Sequence, residues 1–113
     1  MHEMAITRSI IEIVESEAEK EKFDRVLEIS LRVGEYSGLV PQCIEEFFPI
    51  AAAGSIAEGA HLSIEPVKAR FRCLDCGFEG DADRVNHCCA VCGGTALKMT
   101  AGREFYVENL KVE

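Results

Sequence analysis

No stretch of this chain stays apolar long enough to span a bilayer. Glu3, Arg8, Glu12 and Glu15 break up anything resembling the hydrophobic region of a secretory signal. A membrane location is therefore not expected, and the N-terminus is expected to remain as translated, in the cytoplasm. Basic residues are scarce: 12 Lys and Arg face 20 Asp and Glu, for a formal charge of −8. No Lys/Arg cluster with interleaved aromatics offsets this acidity, which argues against nucleic acid and favours a cation or a basic protein as partner. A phosphate-cradling Gly-rich Lys loop and a serine, histidine and acid constellation are missing in motif form, so no enzyme is expected. Repeats and low-complexity tracts are absent too. A length of 113 residues allows one compact domain, with room for a small metal-stapled lobe.

Cysteine is present in an informative pattern. Five of the six lie between residues 73 and 92, and four form the pairs Cys73-Leu74-Asp75-Cys76 and Cys89-Ala90-Val91-Cys92, twelve residues apart. In a chain without a secretory signal this spacing reads as a four-thiolate Zn(II) site in a reducing compartment. Gly77 and Gly93 follow the pairs, where positive φ lets the backbone curl and aim amide N–H groups at the sulfurs. A closed tetrahedral site leaves no open position for substrate, so its role is structural. A thiol oxidoreductase would need only one such pair, cycling with a lowered thiol pKa. Cys88 adjoins Cys89 and could exchange into the site, but the spacing favours Cys89. His87 is expected to be exposed, His61 to lie in a loop, and Cys43 to serve as a small apolar core residue.

The remaining chain alternates between helical and extended patterns. From Glu3 to about Lys22, Ile6, Ile10, Ile13, Val14 and Ala18 form an apolar face opposite Glu12, Glu15, Glu19 and Lys22. Arg25 to Val33 reads as a half-buried strand with Leu27, Ile29, Leu31 and Val33 on one side. Gly34 to Gly38 is a turn. Pro41 suits the first turn of a second helix towards Ala53, which Pro49 is expected to kink or divide. An extended segment from Leu62 to Phe71 changes face near Pro66 and leads into Cys73. Phe105 to Val112 forms a last strand whose alternation slips near Glu108-Asn109, as at a bulge. These patterns predict a body of residues 1–70 plus 103–113, with a zinc-binding lobe inserted at 71–102.

His2 offers an imidazole and a backbone amide beside the Met1 amine, three nitrogens joined by short chelate rings. Ni(II) suits nitrogen-rich, tetragonal sites, and Glu3 or a further group could complete the coordination. Three nitrogens alone do not separate nickel from copper.

Met1-His2-Glu3, the stretch Gly34-Glu35-Tyr36-Ser37-Gly38-Leu39-Val40-Pro41, Phe47-Phe48-Pro49, Glu58-Gly59-Ala60, Leu62-Ser63-Ile64-Glu65, both cysteine pairs and Gly102-Arg103-Glu104 make this chain resemble the HypA/HybF family along its whole length. These are nickel metallochaperones of [NiFe]-hydrogenase maturation. The resemblance implies an α+β fold, two helices against a small three-stranded sheet, beside a zinc-ribbon lobe. It implies Ni(II) as cargo at His2, Met1 and Glu3, and structural Zn(II) at Cys73, Cys76, Cys89 and Cys92. It also implies the HypB GTPase and the hydrogenase large subunit as partners, with urease maturation proteins left open. Family members often carry proline where this chain has Ala90. The rival reading is a zinc-ribbon adaptor for protein interactions, in which His2 is incidental.

Overall fold

The computed structural model describes residues 2–113; Met1 and the His2 side chain, two of the expected nickel ligands, lie outside the described residues. Helix α1 runs from His2 to Glu21. Its inward stripe is Glu3, Thr7, Ile10, Ile11 and Val14. Ile13, expected on this face, is 42% exposed, whereas Ile11 is buried. Ile11 stands four residues from Thr7 and three from Val14, on the line of the stripe, and Ile13 falls on its flank.

Strand β1, Val26–Gly34, is the centre of the main sheet. It leads through α2, Pro41–Ala52, into β2, His61–Val67, which pairs with it in parallel. A parallel neighbour requires a crossover, and α2 supplies it. His61, expected in a loop, is the first residue of β2. Pro49 does not divide α2, which is continuous across it. The missing proline N–H forfeits a bond to the Glu45 carbonyl, and since both residues are exposed, water can satisfy that oxygen.

The last strand of the chain, β8 at Phe105–Val112, returns antiparallel on the other side of β1. Its register jumps between the pairs Ser30↔Asn109 and Leu31↔Val107, leaving Glu108 as the extra residue at the bulge expected there. A second irregularity lies between Val26 and Glu28, where Leu27 is the extra residue. It reverses the facing expected from the alternation at the start of β1: Val26 is buried, while Leu27 is 45% exposed. One inserted residue is enough to move a side chain to the opposite face of a strand. Beneath the sheet, Ile10, Val14, Val26, Ile29, Leu31 and Ile44 form a core closed to solvent.

The extended segment near Pro66 is two strands rather than one. After β2 ends at Val67, β3 at Arg70–Cys73 joins a separate sheet in the order β4-β3-β7, with β4 at Glu79–Gly80 and β7 at Leu97–Ala101. A two-stranded ladder completes this end, β5 at Ala82–Asp83 against β6 at Cys88–Cys89. Among the described residues no helix is long and apolar enough to cross a membrane. The fold is the expected α+β arrangement, two helices with a three-stranded sheet and a cysteine-bearing end built of short strands.

Candidate metal centre

Each cysteine pair sits on a tight turn built by its own backbone. The Gly77 N–H donates to the Cys73 carbonyl at 2.9 Å, and the Gly93 N–H to the Cys89 carbonyl at 3.0 Å. Both glycines have left-handed φ, +79° and +76°, which side chains with a Cβ resist. The expectation from the Cys-x-x-Cys-Gly pattern is met at both turns. Cys73 at the end of β3 and Cys89 at the end of β6 are carried in by strands, and the first turn faces the second.

The four sulfurs of Cys73, Cys76, Cys89 and Cys92 converge, every pair lying within 4.8 Å. Cys73 Sγ stands 3.6 Å from Cys92 Sγ, and Cys76 Sγ 3.7 Å from Cys89 Sγ. A tetrahedron with metal–sulfur bonds of about 2.3 Å has edges of about 3.8 Å, so this spacing fits Zn(II). Cys73 and Cys89 are buried, whereas Cys76 and Cys92 are exposed.

The backbone also supplies donors to the sulfurs. The Val91 N–H points at Cys89 Sγ and the Gly94 N–H at Cys92 Sγ, each at 3.4 Å. Amides of Cys92 and Val91 bring the Cys89 thiol down to about 7. The Gly94 amide acts in the same direction on Cys92, but neighbouring thiols of Cys73 and Cys76 outweigh it and push that group up. Sulfurs so close cannot all ionise without a cation among them. A divalent metal resolves the conflict, which makes the donor set chemically suited to zinc.

Cys88 is not in the converging group. It precedes Cys89 in β6, and successive strand side chains point to opposite faces. His87 is exposed, with φ +55°. His61 lies 3.8 Å from Glu28 on the main sheet, and Cys43 is half-buried in α2. None of these joins the four sulfurs.

In the main part of the molecule, α1 begins at His2 without a preceding loop among the described residues. Glu3 is buried at 8% exposure, and its Oε2 accepts a long hydrogen bond, 3.4 Å, from the Val40 N–H. Val40 caps α2 but offers no side-chain oxygen of its own. The Glu3 carboxylate thus serves as an anionic cap across the chain, favoured by the dipole of α2. Nothing in the local sequence announces this contact, which spans 37 positions. It holds the starts of the two helices together.

The family model described as hydrogenase/urease nickel incorporation, metallochaperone, HypA matches residues 1–112. The hydrogenase maturation factor HypA of Geobacter sulfurreducens is 39% identical, with 100% of both chains covered. That of Caldanaerobacter subterraneus subsp. tengcongensis is 33% identical, again with 100% of both chains covered. The fold is similar to a solution structure of HypA protein, with a TM-score of 0.76 at 23% identity, covering 100% of this chain and 97% of that one. It is also similar to the solution structure of the Ni metallochaperone HypA from Helicobacter pylori, with a TM-score of 0.71 at 21% identity, covering 97% of this chain and 96% of that one. With a family match running from the first residue to the penultimate one, and a cysteine cluster shaped for zinc, the chain belongs to the HypA family of nickel-incorporation metallochaperones, maturation factors rather than enzymes.

Proposed function

We propose that this chain binds Ni(II) at its N-terminus, through the Met1 amine and the amide and imidazole of His2, and delivers it for [NiFe]-hydrogenase maturation. The observation that carries the reading is the whole-chain match to a nickel-incorporation family, joined to a helix that starts at His2 itself. A chelate at a helix start loses little chain entropy on binding, because the neighbouring backbone is already ordered. Glu3 follows directly, and its buried carboxylate lies in the first turn of α1. It either completes the coordination or holds the start of α1 in place. Nickel leaves by ligand exchange, since an N-terminal chelate can be attacked by an incoming protein ligand without unfolding the carrier.

Zn(II) is held by Cys73, Cys76, Cys89 and Cys92, where it orders the surrounding chain and takes no part in the transfer. The division follows as residues 1–70 plus 103–113 for nickel and 71–102 for zinc, supported by sheets that share no strand. HypB GTPase is the partner and the hydrogenase large subunit the acceptor, with urease maturation a second destination because the family description couples the two enzymes. Reduced thiolates suit the cytoplasm.

Calorimetric titration of nickel into tag-free, zinc-loaded protein tests this reading, run beside His2→Ala and a version with one residue added before Met1. One nickel equivalent is expected in the native protein and should be lost in both variants, with zinc retained. Equal nickel binding by all three would move the ligands elsewhere and sink the proposal.

A further inference from the structure

The turn after β1 reads in the sequence as a simple reversal, yet it meets every segment that passes between the main sheet and the cysteine-bearing end. The Glu35 N–H donates to the Val67 carbonyl at 2.9 Å, at the end of β2. The Tyr36 N–H donates to the Gly102 carbonyl at 2.6 Å, where the chain comes back from β7. Gly34 lies so close to the Gly102 carbonyl that a Cβ there would collide with it. A Cβ on Gly102 would in turn approach the Ala69 Cα to 2.8 Å. The outgoing and returning strands are therefore pressed together over this turn, with no room for side chains between them.

The Glu35 side chain then reaches into the cysteine-bearing end. Its Oε1 accepts from the Ala69 N–H at 3.0 Å, and its Oε2 accepts from the Arg84 guanidinium at 2.5 Å. Arg84 lies in the loop between β5 and β6, and its other nitrogens bond Asp81 at 3.0 and 3.1 Å. Next along the turn, the Tyr36 ring meets Phe71 of β3 edge to face, with centroids 6.5 Å apart. Both oxygens of one carboxylate are thus engaged, one by the linker and one by the far loop.

We infer that Glu35 is a positioning residue: it latches the cysteine-bearing end to the main sheet in one orientation, with Arg84 as the catch. Both side chains are more than a third exposed, and pairs of that kind contribute little to overall stability. The latch should therefore govern orientation, leaving the stability of either part nearly unchanged. A molecule 53 Å long and 17 Å thick makes any change of orientation easy to observe. The inference stands whether or not nickel binds at residues 1–3.

Residual dipolar couplings on the zinc-loaded full chain decide the matter, measured for the native protein, Glu35→Ala and Arg84→Ala. One alignment tensor should fit the amides of both parts in the native protein. Each variant should need two, with the cysteine-bearing end more weakly aligned, while chemical shifts within each part and the zinc content stay native. Arg84→Lys, which keeps the charge, should recover part of the common alignment. A single native tensor in both alanine variants, or two tensors already in the native protein, would overturn the latch. Nickel stoichiometry should be the same in all four proteins, so failure of the latch and failure of the nickel reading are distinguishable.

Discussion

The two ends of this molecule are held by different physics. Around β1, six aliphatic side chains from α1, β1 and α2 are closed to solvent, and burial of that kind supports structure without help. The cysteine-bearing end has no comparable core: two of its cysteines are buried, its strands include three of only two residues, and Leu74, Val85 and Val91 face solvent. Such a region cannot offset its chain entropy by burial alone. Four convergent sulfurs, spaced to suit Zn(II), offer it an ion to fold around instead. With zinc in the proposed site, stability at one end is set by packing and at the other by metal activity.

Removing the metal should separate the two ends most sharply. Structural zinc contributes about 10–16 kcal/mol in small zinc-dependent folds, far more than the cysteine-bearing end can replace. A strong chelator, or Cys73→Ser, is expected to collapse the amide dispersion of residues 71–102 in a heteronuclear NMR spectrum while β1, β2 and the helices keep theirs. Collapse of the whole spectrum would show that the ends do not fold separately.

The converse experiment acts on the core. Leu31→Ala removes a fully buried side chain from the central strand and should cost about 2–5 kcal/mol in urea unfolding. Zinc stoichiometry should not change, so the loss ought to appear in helix circular dichroism before any thiol becomes reactive.

Acid should act at the border between the ends. The Arg84 guanidinium, then the Ala69 amide, hold the Glu35 carboxyl below its ordinary value, with Lys68 adding to the effect; amides of Glu104, Gly102 and Arg103 do the same for Glu104. A depressed folded-state value means that the folded chain binds fewer protons than the unfolded one. The stabilisation is complete at neutral pH and is withdrawn as the pH falls below about 4. Glu35→Gln should therefore flatten the acid limb of the stability profile only slightly relative to the native protein, because the pair is more than a third exposed, with both proteins zinc-loaded and free zinc monitored. Parallel limbs would exclude Glu35 as a contributor.

The smallest change is expected on the outer face of the main sheet, where Arg32 bonds Glu108 at 2.9 Å and approaches Glu65 at 4.0 Å. Arg32→Met should barely move the urea midpoint, because exposed pairs of this kind are screened and mobile. A shift as large as that of Leu31→Ala would mean that the sheet depends on its polar face as much as on its core.

How far the sequence could be read follows the same division. Helical and alternating patterns made α1, β1, α2 and β8 legible, and the slip at Glu108 could be seen because eight residues of β8 surround it. Cys-x-x-Cys-Gly twice over disclosed the turns of the cysteine cluster. The two-residue strands β4, β5 and β6 were invisible, because one period of alternation is too short to stand out as a pattern. The bulge at Leu27 escaped because Leu27 is apolar and continued the alternation that the bulge breaks. Contacts made at long range, Glu3 with Val40 and Glu35 with Arg84, leave no local pattern at either partner.

The alternation of burial around the four sulfurs carries a kinetic consequence. Cys73 and Cys89 are shielded by protein, while Cys76 and Cys92 look outward from the same cluster. A competing thiol or chelator can meet the bound ion from one side only, displacing the outer sulfurs one at a time while the inner pair still grips. Loss of the ion should accordingly proceed at a rate proportional to the concentration of the competitor, and in its absence the ion should be retained long after equilibrium arguments alone would release it.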